Sequence, residues 1–269
     1  MGYVTIIRPL NCAITFVSVL VGAWITTGFI YTPQLILAGM IGFIVCAFGN
    51  IVNDLYDIEI DKINNPDRPL PSGKVNKKIV ISLALFFFII SILFSISLGL
   101  PVFLLVLGVL ILLFIYALYF KKTIAGNFVV SIITGLSFIL GGIVENNSAC
   151  IFPFLFSFFI HMPREIIKDV IDIKGDKSAG IISLPILLGK ERSFNISALL
   201  LGILCILLPL PYIMKILHLQ YMIVVLIFAY PMIIYVIFRL LKKPQEPVLA
   251  KLSNLLKISM AAGLVAMIL

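Results

Sequence analysis

Long apolar runs separated by short polar segments dominate the sequence. About 20 mainly apolar residues are enough for a helix to cross the roughly 30 Å hydrocarbon core of a bilayer. Such runs predict nine spans, at about 10–30, 33–53, 78–98, 101–120, 124–144, 150–172, 194–215, 219–240 and 249–269. The ninth run carries Lys251 and Lys257 in its first half, so we expect it to be short, tilted or partly interfacial. The pattern therefore predicts an all-α, polytopic membrane bundle formed by a single domain over residues 1–269.

Composition excludes an ordinary soluble domain. Hydrophobic residues make up 62% of the 269 residues, and charged residues only 12%. The surface of a soluble domain carries about 25–35% charged residues. We therefore expect membrane lipid, rather than water, to cover most of this protein's surface.

Basic residues fall on one side of the predicted bundle. With the N-terminus in the cytoplasm, 19 of the 20 Lys and Arg residues lie in or beside cytoplasmic segments, and only Lys215 lies on the far side. This bias follows the positive-inside rule and predicts a multi-pass cell-membrane protein whose active site faces the cytoplasm. The net charge of +8 thus reflects topology, and no nucleic acid partner is predicted, because no basic stretch stands free of a span.

A first cluster of acidic residues directly follows the second predicted span. Asn53, Asp57 and Asp61 are spaced i, i+4 and i+8, and Asp54 lies near the same stripe, so one helix face gathers a carboxamide and three carboxylates. An ionisable side chain within a span costs roughly 2.5–3.5 kcal/mol, which makes such a cluster a functional-site hypothesis. Like charges at this spacing repel one another unless a cation lies between them. The cluster therefore predicts a bound divalent ion.

A second cluster closes the sixth predicted span and repeats this arrangement. Asp169, Asp172 and Asp176 are spaced i, i+3 and i+7 on one helix face, with Arg164 and Lys168 on the adjoining side. Ligand sets made of oxygen alone select a hard ion, and Mg²⁺ binds through one or two carboxylates together with water and substrate phosphates. The predicted cofactor is therefore Mg²⁺.

The two clusters form a weak internal similarity between residues 33–77 and 150–192. Each segment consists of a span, an Asp-rich end and then a basic loop containing Gly, Pro and Ser. Acidic residues at one helix end are often simply exposed to solvent and have no functional role. Two clusters that share helical phase, membrane side and loop type instead favour a duplicated half-site. Two magnesium sites facing each other, ringed by Arg and Lys, would bind a diphosphate and neutralise the charge that grows as its C–O bond breaks. This is chemistry suited to an allylic prenyl diphosphate.

The same residues resemble a known family, the UbiA superfamily of intramembrane prenyltransferases. Asn53-Asp54-Leu-Tyr-Asp57-Ile-Glu-Ile-Asp61 and the loop that follows it, residues 62–73, resemble the first signature, and residues 164–177 resemble the second. Weaker similarities are Arg8-Pro-Leu-Asn11 and the group Tyr116, Lys121, Lys122, Gly126 and Asn127. The resemblance implies an all-helical, nine-span bundle in which two Asp motifs hold magnesium against a prenyl diphosphate donor.

The residues and the resemblance together give a set of candidate site residues. The expected catalytic residues are Asp57, Asp61, Asp172 and Asp176. The expected metal ligands are Asn53, Asp54, Asp57, Asp61, Asp169, Asp172 and Asp176. The expected substrate-binding residues are Arg8, Asn11, Arg68, Tyr116, Lys121, Lys122, Asn127, Arg164, Lys168 and Lys177.

The second motif also bears on the acceptor. Its Arg-Glu-x-x-Lys-Asp form, from Arg164 to Asp169, looks more like the archaeal, ether-lipid branch of the superfamily than like the quinone branch, and somewhat like chlorophyll synthase. That likeness implies transfer of a geranylgeranyl group from geranylgeranyl diphosphate to the free hydroxyl of geranylgeranylglyceryl phosphate. An acceptor with its own phosphate needs further cations, which this sequence supplies. The alternatives are an aromatic acceptor, of quinone or chlorophyll type, and a cation-coupled transporter.

Overall fold

A computed structural model describes residues 2–26, 28–29 and 31–269, apart from the side chains of Asn64 and Glu246. Within these residues all regular secondary structure is helical, which confirms the predicted all-α class. The long helices are α2 (Pro9–Trp24), α3 (Pro33–Tyr56), α5 (Lys77–Ser97), α6 (Leu100–Leu118), α7 (Gly126–Val144), α8 (Ile151–Ser178), α10 (Lys190–Leu207), α13 (Tyr230–Leu241) and α14 (Glu246–Ile268). The short ones are α1 (Gly2–Ile7), α4 (Ile58–Asn64), α9 (Leu184–Leu188), α11 (Leu210–Ile213) and α12 (Leu219–Val224).

Eight helical segments in the described part of the chain are long and apolar enough to cross a membrane. They match the second to ninth predicted spans closely; for example, the eighth runs over Leu219–Leu241, where the sequence predicts 219–240. The helix of the first predicted span, Pro9–Trp24, is apolar but has only 16 residues. Part of the predicted end of that span, Thr27 and Ile30, lies outside the described residues. The count of nine spans therefore stays a prediction.

Prolines and side-chain caps set the helix starts on the far side of the bundle. Pro33 occupies the first turn of α3, and the Thr32 hydroxyl accepts the N–H of Leu35 at 3.0 Å, which satisfies a backbone donor that the helix cannot pair internally. The same hydroxyl donates to Glu145, just beyond the end of α7, at 2.7 Å. This cap therefore also ties α3 to α7.

Two apolar cores hold the bundle together. One is formed mainly by α2, α3, α5 and α6, and the other mainly by α8, α10, α12, α13 and α14. α7 packs against both α2 and α8 and so joins the two cores. Each core contributes the long helix that ends in one Asp motif, α3 from the first core and α8 from the second.

Close helix packing fixes α2, whose N-terminal end carries Arg8. At the crossing of α2 and α7, a Cβ atom on Gly141 would lie 1.8 Å from the carbonyl oxygen of Val19, and one on Gly22 would lie 2.1 Å from that of Phe138. In lipid there is no hydrophobic driving force between helices, so they associate largely through van der Waals packing. Small residues at the interface allow the backbones to approach closely enough for that packing. The glycines therefore set the distance between α2 and α7.

Candidate active site

The first acidic motif lies at a bend between α3 and α4. α3 ends at Tyr56, Asp57 has φ −90° and ψ 0°, and α4 begins at the next residue. The N–H of Asp57 still bonds to the carbonyl of Asn53 at 3.0 Å, and the N–H of Asp61 to that of Asp57 at 2.7 Å, so the four-residue register continues through the bend. Asp54, Asp57 and Asp61 are 5%, 4% and 4% exposed.

The bend corrects the prediction of one straight helix face over 53–61. On a straight helix, Asn53 and Asp61, at i and i+8, would be separated by about 80° around the axis, whereas Asp54 and Asp61, at i and i+7, would be separated by only about 20°. Asp54 and Asp61 lie on either side of the bend, and both are buried. The two carboxylates then share a cation: Arg68 donates to Asp61 at 2.6 Å and lies 3.8 Å from Asp54.

Arg8 also pairs with Asp54. It lies between α1 and α2 with φ 56° and ψ 65°, and its guanidinium donates to the Asp54 carboxylate. A positive φ is uncommon for a residue other than Gly, and it turns the chain so that the side chain reaches α3. The structure thus brings the predicted Arg8, Asp54, Asp61 and Arg68 into one ion-pair network, in which the acids are buried and the arginines are partly exposed.

Lys121 reaches the middle of the first motif from the segment between α6 and α7. Its ammonium donates to Asp57 and also to the Asn53 Oδ1 atom, at 2.9 Å from the latter. The Asn53 Nδ2 group in turn donates to Asp57 at 2.9 Å. The amide thereby orients the carboxylate and the ammonium towards each other.

The second motif lies on one continuous helix, α8, whose last turns carry all three predicted aspartates. Asp169 accepts a hydrogen bond from the Asn127 Nδ2 atom, at the start of α7, at 2.7 Å. Asp176 is half-buried and Asp172 is exposed. This motif is therefore more open than the first.

Glu165 is a charged residue in this region that the candidate set omits. Its carboxylate accepts a hydrogen bond from the Arg164 guanidinium at 2.8 Å and one from the Lys168 ammonium at 2.7 Å. These two predicted substrate-binding cations therefore share one carboxylate. The spacing of Glu165 and Lys168, i and i+3, is a known ion-pair spacing on helices and was a usable signal. The carboxylate holds both cations in place beside the acidic stripe.

The two motifs face each other. α4 contacts α8, and the charges of Arg68 and Lys121 act on Asp172 and Asp176, respectively. The Tyr116 hydroxyl, on α6, is also close enough to interact electrostatically with carboxylates from both motifs, namely Glu165, Asp57 and Asp169. Cations anchored on the first motif therefore lie towards the second.

Three predicted substrate-binding residues stay apart from this network. Asn11, Lys122 and Lys177 are exposed, and no ion pair or hydrogen bond joins their side chains to either motif within the described ranges. Lys122 is connected only through its backbone, where its carbonyl accepts the N–H of Ile182 at 3.0 Å. Roles for these three side chains remain predictions.

The metal-ligand assignments at both motifs stay predictions. Among the residues that the structure describes, no three His, Cys, Asp or Glu side chains lie close enough together to hold a metal ion. The physical reason is that a base, Arg8, Arg68 or Lys121, occupies the space beside each buried acid of the first motif. The donor types still fit Mg²⁺, which needs only one or two carboxylates and completes its shell with water and phosphate oxygens.

Comparisons with known proteins agree with this geometry. Residues 15–260 match the model of the UbiA prenyltransferase family. A digeranylgeranylglyceryl phosphate synthase from Methanosphaera stadtmanae is 36% identical over 267 residues, which cover 98% of this chain and 97% of that protein. One from Methanocaldococcus jannaschii is 36% identical over 269 residues, covering 99% and 94% of the two chains.

Solved structures also share the fold. A structure of digeranylgeranylglyceryl phosphate synthase superposes with a TM-score of 0.82 at 36% identity and covers 99% of this chain and 96% of that one. A UbiA homolog from Archaeoglobus fulgidus bound to GPP and Mg²⁺ superposes with a TM-score of 0.71 over the full length of both chains. The latter is only 20% identical, so its likeness bears on the fold alone.

Proposed function

This chain belongs to the UbiA prenyltransferase family, and on that premise we propose that it transfers a geranylgeranyl group from geranylgeranyl diphosphate to the free hydroxyl of geranylgeranylglyceryl phosphate. The observation that carries the proposal is the pair of facing acidic motifs, with Arg68 and Lys121 bonded to the first and close enough to act on the second. The 36% identity to digeranylgeranylglyceryl phosphate synthases over nearly the whole chain supports the choice of acceptor.

Each part of the site has a role in the proposed reaction. Asp57 and Asp61, with Asp172 and Asp176 across from them, would hold Mg²⁺. When bound, Mg²⁺ neutralises the negative charge that grows on the departing diphosphate. Arg68 and Lys121 donate to the outer diphosphate oxygens, since both are long, cationic and already directed between the motifs.

The transfer itself needs little from the protein beyond charge and position. The C–O bond of the donor breaks, the electron pair leaves with the diphosphate, and the hydroxyl oxygen of the acceptor forms a bond to the allylic cation. The hydroxyl proton then passes to a diphosphate oxygen or to a carboxylate, and the products are the ether and diphosphate. No strong base is required, because the oxygen becomes acidic only as the new bond forms.

We also propose that the site faces the cytoplasm. Both motifs lie where α3 and α8 end, and the Lys and Arg residues of the chain gather on that side in the predicted topology. Labelling of single cysteines in intact cells tests this: Lys74→Cys, beyond α4, should be protected from an impermeant reagent, while Lys215→Cys should react. The reverse pattern would place the site outside.

The internal similarity between 33–77 and 150–192 supports a further proposal, that the single domain contains two related halves. In each half a long helix of one apolar core leads into an acidic motif. Superposition of the two segments tests the proposal, and an unrelated path of the helices would contradict it.

The decisive experiment is prenyl transfer by the purified protein in detergent, with Mg²⁺ and labelled geranylgeranyl diphosphate. Geranylgeranylglyceryl phosphate and 4-hydroxybenzoate are offered in parallel. We expect product with the glyceryl phosphate alone; product with the aromatic acid alone would move the enzyme to the aromatic branch, and no product with either would favour the carrier alternative.

Site variants connect that activity to the two motifs. Asp57→Asn and Asp172→Asn should each abolish turnover while the protein still elutes as a folded species. Glu191→Gln is the matched control, because Glu191 is an exposed acid that pairs with Lys243 at 2.8 Å, away from both motifs. Magnesium-dependent turnover at the normal rate in both aspartate variants would refute the site assignment.

A further inference from the structure

Lys257 is a lysine placed well inside an apolar helix. It lies eleven residues after the start of α14, or about 16 Å along the helix axis. Its neighbour Leu256 is fully buried in the same apolar core as Ile167 of α8, and α14 packs against α8. The Lys257 side chain itself is exposed. An ionisable residue at such a depth is costly in lipid and marks a functional site by default, with a charged partner expected nearby.

The charged groups that act on Lys257 are on α8, against which α14 packs. They are Arg164, Lys168 and Glu165, all close enough to interact with it electrostatically. Glu165 already accepts both Arg164 and Lys168, at 2.8 Å and 2.7 Å. Two cations thus bond to this carboxylate and Lys257 is within electrostatic range of all three groups, so the cluster has two positive charges more than its one acid balances.

Other titratable groups near the cluster do not remove this excess. His161 lies one turn before Glu165, and its Nδ1 atom is already engaged with the Ser157 carbonyl oxygen at 2.9 Å. Lys168 is also within range of Asp169 and Asp172, but these acids belong to the second motif and face the diphosphate site.

The Arg164 guanidinium has an unused donor. Its Nη1 atom bonds to Glu165, whereas its buried Nε atom has no hydrogen-bond partner within the described part of the chain. Nearly all buried donors in proteins are paired, so an orphaned one needs an explanation. A guanidinium presents its donors in a planar fork that matches two phosphate oxygens.

From these observations we propose that Arg164, Lys168 and Lys257 bind the phosphate monoester of the acceptor lipid. A phosphate monoester carries about −1.5 to −2 charge at pH 7, which matches the excess of two positive charges in the cluster. The inference rests on the proposed function and adds to it a binding site for the acceptor headgroup, with Lys257 of α14 as a specificity-determining residue.

The position of the cluster suits this acceptor. In geranylgeranylglyceryl phosphate the free hydroxyl is on the carbon next to the one that bears the phosphate. The phosphate must therefore be anchored close to the reacting carbon of the donor. Lys168 directly precedes Asp169 and is one turn before Asp172, so the cluster adjoins the second motif on the same helix.

Kinetics with two acceptors test the proposal. Lys257→Ala is compared with Lys257→Arg, which keeps the charge, and with Lys251→Ala, a matched control that removes an exposed lysine from the same helix. The acceptors are geranylgeranylglyceryl phosphate and the same ether alcohol without its phosphate. Initial rates give kcat and KM for each acceptor and KM for geranylgeranyl diphosphate.

We expect Lys257→Ala to raise KM for the phosphorylated acceptor about tenfold or more, as loss of one charged hydrogen bond does. KM for the donor should stay within about twofold of the wild-type value. The ratio of kcat/KM for the phosphorylated acceptor to that for the alcohol should fall by the same factor by which the acceptor KM rises. Lys257→Arg should recover most of the affinity, and Lys251→Ala should behave as wild type. Lys257→Gln provides a second neutral variant if the alanine variant does not fold.

Different failures point to different errors. If Lys257→Ala and Lys251→Ala have the same KM for the acceptor, the inference is wrong, while the proposed function remains intact. An equal rise in KM for donor and acceptor would also overturn it, because the cluster would then serve the diphosphate or the fold. Competition by inorganic phosphate against the acceptor, weaker in Lys257→Ala than in wild type, would support it. A wild-type enzyme inactive with the glyceryl phosphate would overturn the proposed function itself.

Discussion

The crossing of α2 and α7 should not tolerate a single added methyl group at Gly141. A Cβ atom there would lie 1.8 Å from the carbonyl oxygen of Val19, and the contact is to backbone, which cannot rotate aside as a side chain can. The helices would have to part by about 1.2 Å to bring that contact to even 3.0 Å. Both backbones are held by the neighbouring close contact at Gly22, so the strain has no easy outlet.

The expected cost follows from this displacement. Overpacking a well-packed core typically costs about 1–3 kcal/mol, and a displacement of this size lies at the upper end, because it also separates the other side chains along the crossing. For a chain of this size, each kcal/mol corresponds to about 2–4 °C in Tm, so we expect Gly141→Ala to melt roughly 6–12 °C below wild type.

The single tryptophan makes the measurement local. Trp24 is the last residue of α2, is 8% exposed and packs edge-on against Phe29 and Tyr31, so its fluorescence reports on this helix during thermal unfolding in detergent. Gly202→Ala is the control, since Gly202 is also helical but a Cβ there meets no atom within 4 Å. Alanine is the better helix former, so the control should melt at or slightly above the wild-type temperature. If Gly141→Ala melts within about 2 °C of Gly202→Ala, the argument from close packing is wrong.

Three further predictions use the same preparations. Thr32→Val removes the oxygen that caps α3, so the free energy of unfolding should fall by about 1 kcal/mol, and Thr32→Ser should restore it; equal losses in both would argue against the cap. Asn147→Ala removes two buried hydrogen bonds, to the Ala23 carbonyl at 2.8 Å and from the Ala149 N–H at 3.1 Å. The loss should be about 2 kcal/mol by the same melting assay, and a shift no larger than that of Gly202→Ala would contradict it. Removing divalent metal with EDTA should abolish prenyl transfer and added Mg²⁺ should restore it, whereas full turnover in EDTA would refute a metal role for the aspartates.

The helices could be predicted because their causes are local. A run of apolar residues long enough to span the bilayer, interrupted by Pro or charged residues, fixes both the type and the approximate ends of an element. The span predicted at 78–98 corresponds to Lys77–Ser97, and the one at 101–120 to Leu100–Leu118. The bend at Asp57 could not be predicted, because residues 53–61 contain neither Gly nor Pro, the residues that usually mark a helix break.

The ion pairs of the site could not be predicted from local pattern. Arg8 and Asp54 are 46 positions apart, and Lys121 and Asp57 are 64 apart, so both pairs depend on how distant helices pack. The family resemblance nominated these two bases, but it gave no partners for them. Lys257 shows the same limit: in the sequence it indicated only a weak ninth span, and its position beside Arg164 depends on the packing of α14 against α8.

The two acidic motifs resemble each other in sequence but differ in environment, and the difference assigns them different tasks. In the first motif, bases from three separate segments pair with the buried acids, so losing any one base would leave a buried carboxylate unpaired, and this half is held rigidly. In the second motif, by contrast, Asp172 is exposed near the end of α8, with Lys168 and Arg68 close enough to act on it. Arg68 and Lys121 are thus anchored on the rigid half and act on the open half. In the proposed reaction the diphosphate bridges the two motifs, and these two bases would then couple its binding to the alignment of the second motif.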